Sequence, residues 1–218
     1  ALDTVSGPRI GSELRLLSRE PDPVNALLGL HELGLEPAIH PRFGLVRDDP
    51  TSALELGRQA LALLPPGARA DRLVLGLAAR DIPDRELRQL LDRLAFEADD
   101  REAIVATARQ APQIAAALGQ ASRPSAIAEL AREVPLEVVA LAGALGAQAP
   151  ARAWLEQLRH VSLDIDGGDL IGAGVPEGPA VGRGLRAALS AKLDGQVQGR
   201  EAELATALEA ANRRDSLA

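Results

Sequence analysis

Fifteen prolines in 218 residues divide this chain more sharply than any other feature, because proline is tolerated in the first turn of a helix and breaks the interior. Between the prolines the apolar residues are mostly Ala and Leu, the leading helix formers, and aromatic residues make up only 1%. Strands draw on Tyr, Phe, Trp and β-branched residues, which are thin here. The pattern predicts an all-α fold of about a dozen short helices in an extended array of several parts.

Ser6-Gly7-Pro8 opens the first helix, with Ile10, Leu14 and Leu17 on one face. Asp22-Pro23 caps a second, which carries Val24, Leu27 and Leu28 and stops at Gly34. A loop with Pro37, Pro41 and Pro50 follows and marks the first boundary. From Ser52 to His160 the expected breaks are Pro65-Pro66, Ile82-Pro83, Pro112, Pro124, Pro135 and Pro150, and the segment around Leu87, Leu90, Leu91 and Leu94 is strongly amphipathic. Later helices are mostly Ala and pack only at close approach. No fixed-period repeat stands out, and this middle region shows no chemistry. After His160 glycines become dense and charge segregates: residues 161–178 hold Asp164, Asp166, Asp169 and Glu177 with no base, whereas 179–200 hold Arg183, Arg186, Lys192 and Arg200 against Asp194. Three segments are therefore expected: 1–50, a helical body over 51–160, and a terminal segment over 161–218.

Composition narrows the function. Without Cys there is no disulfide framework and no thiolate metal site, which fits a cytoplasmic protein. No apolar run approaches the ~20 residues of a membrane span, and Ala1-Leu2-Asp3 lacks the features of a signal peptide. The first residue is not Met, so the chain can be the downstream part of something longer. A net charge of −7 argues against a generally basic surface but leaves room for a local basic patch.

Three candidate sites can be weighed. His31-Glu32 lacks the second His four residues on that a zinc protease needs, since position 35 is Leu, and His40 precedes a proline; surface or core histidines are the better reading. Asp164-Ile165-Asp166 has the alternation of a two-metal nucleotidyl-transfer pair, yet no sheet or phosphate-binding group accompanies it, and a helix capped by Asp166 or Gly168 explains it better. The run from Gly174 to Gly184 is no Walker loop, because it has no Gly-Lys-Ser/Thr and Pro179 removes an N–H. What survives is a helical hairpin: Asp169–Ala173, a turn Gly174-Val-Pro-Glu-Gly178, then a helix from Pro179. Glycine at both ends of the turn permits positive φ, and the second helix presents its N-terminus as an anion site. Arg183 and Arg186 in its first two turns oppose the helix dipole unless a phosphate occupies that end. Gly174, Gly178, Gly182, Arg183, Arg186 and Lys192 are thus the candidate phosphate-binding residues.

The stretch from Leu163 through Gly182, followed by Leu189 and Lys192-Leu-Asp-Gly-Gln-Val, resembles the tail of bacterial class II tRNA nucleotidyltransferases, the CCA-adding enzymes and their poly(A) polymerase relatives. Their hallmark is G-x-D-L-h-x-h-G-h-x-x-G-P-x-h-G, with h apolar, matched by Gly167, Asp169, Leu170, Gly174, Gly178, Pro179 and Gly182. Near the start, Ser6, Arg9, Ile10, Glu13 and Leu14 resemble the neck motif Ser-x-Glu-Arg-Ile-x-x-Glu-Leu, with Pro8 in place of its Glu. Residues 27–35 are similar to that motif's continuation.

The resemblance implies a neck, body and tail that bind and position tRNA through its acceptor and TΨC region, without a catalytic residue or metal. The family's Gly-Gly/Ser and Asp-x-Asp head motifs, and its nucleotide-reading Glu-Asp-x-x-Arg, have no match here. Mg²⁺ with CTP or ATP would belong to that head, upstream in the parent protein, and the chain alone would be inactive. With only Phe43, Phe96 and Trp154 as aromatics it has no base-stacking platform, but recognition of a folded RNA by phosphates and shape needs only placed cations and N–H groups. The rival reading is a helical scaffold or protein-interaction module. A third, a metal-dependent enzyme using Asp164 and Asp166, lacks a sheet or a His base. Whether CCA, CC, A or poly(A) is added would be decided in the head.

Overall fold

The computed structural model describes residues 5–213, so the first four residues, Ala1-Leu2-Asp3 among them, and the last five lie outside. Among the described residues every regular element is helical, as the Ala/Leu composition predicts. In chain order the α-helices are α1 (Gly7–Leu17), α2 (Pro23–Glu32), α3 (Glu36–Ile39), α4 (Pro50–Leu63), α5 (Ala70–Ala78), α6 (Asp84–Arg93), α7 (Ala98–Gln120), α8 (Pro124–Ala131), α9 (Leu136–Ala142), α10 (Gln148–Glu156), α11 (Gly167–Gly172), α12 (Pro179–Leu193) and α13 (Arg200–Asn212).

Proline sets many of these boundaries. It stands in the first turn of α1, α2, α3, α4, α8 and α12, where its missing N–H would have no helical partner anyway. Pro83 and Pro135 stand one step earlier, as N-caps of α6 and α9. Two expected breaks do not occur. Pro112 lies inside the 23-residue α7, whose buried face packs against α5, α6 and α9; that burial offsets the ~3 kcal/mol of an interior proline. Pro150 lies within α10, and the chain turns earlier, at a π-type turn over Gly143–Ala147 where Gly146 takes φ +124°.

By packing, the chain forms two units, whose limits differ from the three segments read from composition. One comprises the chain up to Gln120 together with Glu133–Leu155, the other Ala121–Arg132 with the chain from Glu156. In the first unit the proline-rich loop after α2 is part of the interior, because Ile39, Phe43 and Leu45 are buried. Small residues there permit close approach: a Cβ on Gly76 would stand 2.5 Å from Thr107 Cβ, and one on Gly143 would meet Leu63 and Ala151. Gly7 and Gly11 lay α1 directly on the carbonyls of Arg93 and Leu94. The second unit has its own core of Ile165, Leu170, Val175, Ala188, Ala207 and Ala211, with α12 and α13 packed side by side.

Candidate functional site

The hairpin in the second unit is built from local rules. Asp166 caps α11 through a reciprocal pair of bonds: its Oδ1 accepts from the Asp169 N–H at 3.2 Å, and Asp169 Oδ2 accepts from the Asp166 N–H at 2.9 Å. The turn starts at Gly174, φ +93°, and ends at Gly178, φ +138°, both in the region that disfavours a side chain. Val175 folds back into the core beside Leu170. The next residue but three is Pro179, the first of α12, with no acidic residue in the first turn to balance the helix dipole. Val181 N–H is bonded to the Gly178 carbonyl at 3.1 Å, and the amide of Ala180 has no helical carbonyl within reach.

The cations are disposed differently from one another. Arg186 is exposed, and its guanidinium lies back over Gly182, 3.4 Å from where a Cβ would stand, so it leans toward the start of α12. Gly182 leaves that path open. Arg183 is half-buried; its Nη2 donates to the Ala211 carbonyl at the end of α13 at 3.5 Å, and its Nε is enclosed without a partner. Lys192 lies in the last turn of α12, paired with Glu203 at 2.7 Å and Asp164 at 3.2 Å. The hydrogen bonds it donates, that to Glu203 foremost, raise its pKa, and its charge is spent inside the protein. The structure thus brings Gly174, Gly178, Gly182 and Arg186 to one end of α12 and leaves Lys192 at the other.

The aspartates before α11 are similarly committed. Glu203, fully buried, accepts from the Asp164 N–H at 2.7 Å, and Arg200 donates to the Asp164 carbonyl at 2.6 Å and to Asp169. Asp194 caps α8, accepting from Ser125 N–H and Oγ–H at 2.8 Å each. Sequence reasoning missed Glu203, Arg200 and the Asp194 cap. Their partners lie 31 to 69 residues away, and nothing local signals such a pairing.

In the neck-like segment Ser6 is the N-cap of α1, but only its carbonyl is used, accepting from the Arg9 and Ile10 amides at 3.1 Å. Arg9 and Glu13, both exposed, lie one turn apart at the mouth of an apolar recess of about 310 Å³ that includes Ile10, Leu14, Leu17 and Leu30. Two of the three histidines sit in surface pairs with a carboxylate, His31 with Glu36 at 2.9 Å and His40 with Glu86 at 3.2 Å. Among the described residues no group of three or more Asp, Glu or His side chains is placed to hold a metal ion. Nor is any described helix long and apolar enough to cross a membrane. The body, which showed no chemistry in sequence, holds a charge cluster around buried Asp71, paired with Arg69 and with exposed Arg19 from the preceding segment, while Asp100 pairs with Arg72 at 2.7 Å.

No protein-family model matches the chain. It is 26% identical over 226 residues to the A-adding tRNA nucleotidyltransferase of Geobacter sulfurreducens, an alignment covering 97% of this chain and 26% of that protein. Its fold matches the Thermotoga maritima CCA-adding enzyme complexed with tRNA at a TM-score of 0.76, with 20% identity, over 95% of this chain and 52% of the other. A CCA-adding enzyme solved with ATP matches at 0.75, over all of this chain and 53% of the other. The chain therefore spans about half the length of the solved relatives and about a quarter of the curated one. The resemblance drawn from the tail and neck patterns is borne out, in sequence by the A-adding enzyme and in fold by the CCA-adding enzymes.

Proposed function

We propose that this chain is the neck, body and tail of a class II tRNA nucleotidyltransferase: a non-catalytic, tRNA-binding part that positions the RNA while a head domain adds 3′-terminal nucleotides, CCA or part of it, from CTP and ATP. The observation that carries the reading is the hairpin of the second unit. There a glycine-framed turn opens α12 with no acidic side chain in its first turn and with the free guanidinium of Arg186 laid back over Gly182 toward it. Such an end is suited to a phosphate of a folded RNA, the acceptor and TΨC region of tRNA in this reading. Similarity to an A-adding enzyme along nearly the whole chain supports it.

Each residue has a part. Gly174 and Gly178 give the turn its shape, Gly182 makes room for Arg186, and Arg186 meets the phosphate. Arg183 adds charge while tying α12 to the end of α13, and Lys192 holds the loop before α11 in place. Mg²⁺ and the nucleotides belong to the head, since Asp164 and Asp166 are committed to partners within the protein. The protein would work in the cytoplasm.

The test is tRNA binding by the chain as a function of salt. Arg186→Ala should weaken binding and lower the slope of log affinity against log salt by about one, with little change in stability because the side chain is exposed. Unchanged affinity and slope in a folded Arg186→Ala chain would remove the phosphate site from this hairpin. Incubated with tRNA lacking its 3′ end, Mg²⁺, CTP and ATP, the chain alone should add nothing; template-free extension would overturn the non-catalytic assignment.

A further inference from the structure

The first unit carries an open groove of about 670 Å³ where the end of α1, the start of α2 and the start of α5 meet. Asp71 lines it and is nearly buried, its side chain 7% exposed. Two guanidiniums hold it. Arg69 donates from Nε to Oδ1 at 2.8 Å and from Nη2 to Oδ2 at 2.7 Å, and Arg19 donates from Nε to Oδ2 at 2.9 Å. Arg69 is fixed again through its backbone, whose N–H donates to buried Glu137 at 2.9 Å.

The carboxylates around the two guanidiniums balance their charge, but Asp71 leaves some of their N–H donors unused. A guanidinium has five N–H donors, and Arg19 gives Asp71 only its Nε–H. Its side chain is 53% exposed and that of Arg69 39%. The remaining donors of two guanidiniums, locked in orientation by one buried acid, therefore face the solvent of the groove. Asp100, the partner of Arg72 at 2.7 Å, is also a second, longer partner of Arg69 at 3.4 Å and takes up part of its charge, so Arg19 has the more donors to spare. Fixed, forked donors beside an open groove match the tetrahedral oxygens of a phosphate better than flexible surface lysines could. The opposing feature is Glu20, an exposed carboxylate on the same groove.

We propose that this groove binds a phosphate group through Arg19 and Arg69, with Glu20 tuning the affinity. The ligand chemistry is a phosphate oxyanion, supplied either by an RNA backbone or by free phosphate. The site is in the other unit from the hairpin and stands independently of it.

The experiment titrates inorganic phosphate against the full chain by phosphorus NMR line broadening, and tRNA by fluorescence anisotropy. Both use an Arg186→Ala background, so that the hairpin cannot contribute. In that background Arg19→Ala should abolish the broadening, and Glu20→Gln should strengthen it. If the source is RNA, Arg19→Ala should also weaken tRNA binding about tenfold and lower its salt slope by about one. Lost phosphate binding with unchanged tRNA affinity would support the site with free phosphate as its occupant. Should Arg19→Ala disturb folding, Arg19→Lys keeps a charge beside Asp71 while removing the fork, and should still bind phosphate more weakly than the parent. Phosphate and tRNA binding that are both unchanged in folded Arg19→Ala and Arg19→Lys chains would overturn the proposal. An effect of Arg19 with none of Arg186 would leave this site standing and remove the hairpin's.

Discussion

The Asp71 cluster makes a quantitative statement about acid stability. Burial alone would raise the Asp71 pKa, but the hydrogen bonds and charges of Arg69 and Arg19 outweigh it and hold the group at about 2, against an ordinary 3.8. A folded pKa below the unfolded one means that the native state binds the proton more weakly. The stabilisation is therefore complete above about pH 4 and is lost as pH falls through about 2. At 1.36 kcal/mol per unit, and discounted for the water of the open groove, the shift corresponds to about 1–2 kcal/mol. Asp71→Asn keeps the shape and removes the titration. Trp154, the chain's only tryptophan, is buried in the same unit, so urea unfolding followed by its fluorescence reads the relevant transition. At neutral pH the variant should be less stable by about 1–2 kcal/mol, and the gap should close as pH falls from about 4 to about 2. A gap that stays constant across that range would refute the electrostatic account and leave only altered packing. No gap at neutral pH would mean that desolvation of the cluster cancels its Coulomb gain.

The second unit supplies sharper steric tests. In Gly184→Ala the new Cβ would stand 2.6 Å from the Ala207 carbonyl oxygen and 2.8 Å from Leu170 Cδ2; α12 and α13 must part, at a cost of about 1–3 kcal/mol in a thermal melt followed by circular dichroism. Gly182→Ala meets only the tip of Arg186 at 3.4 Å, so it should be neutral or stabilising by up to ~1 kcal/mol, and a large loss there would contradict the geometry. Asp194→Ala removes both bonds to Ser125 and should cost about 1 kcal/mol, seen as faster amide exchange in the first turn of α8; protection equal to the parent's would mean the cap carries no weight. Gly178→Val places a β-branched residue at φ +138° and should cost about 1–3 kcal/mol while weakening tRNA binding, whereas an unchanged melt would show that the turn has another conformation available.

What could be read in the sequence was whatever acts over a few residues. Pro8, Pro23, Pro50, Pro124 and Pro179 mark helix starts because their effect on φ and on one N–H is local. Asp22 and Asp166 work the same way: a carboxylate three residues before the amide it accepts from can be recognised without knowing the fold. Pro112 shows where such reasoning fails. Its local penalty is real, but the burial of Ile104, Val105, Ala108, Ala111 and Leu118 along the same helix decides the outcome, and that depends on neighbours supplied by distant segments. Lys192 likewise has a partner that no local pattern announces. In sequence it belongs to a basic stretch, and in space it belongs to Glu203.

This division between local and distant partners also separates architecture from recognition within the tail. Of the residues that carry the family resemblance, Asp169 completes a capping box, Leu170 is core, Gly174 and Gly178 take positive φ, and Pro179 starts a helix. Every one of these roles concerns how the chain turns or packs, and none leaves a side chain free for a ligand. The pattern therefore specifies the shape of the hairpin, and any ligand specificity must come from the charges that shape presents. Of the two arginines after the turn, Arg183 spends a donor on the end of α13 and Arg186 lies free over Gly182. The Ala variants of the two should then behave differently. Arg186→Ala should alter RNA binding alone, whereas Arg183→Ala should also loosen the end of α13, through the lost bond to Ala211, by about 1 kcal/mol in the melt. Equal losses of stability in both would show that the half-buried guanidinium is not held where the structure puts it, and would leave Arg183 equivalent to Arg186.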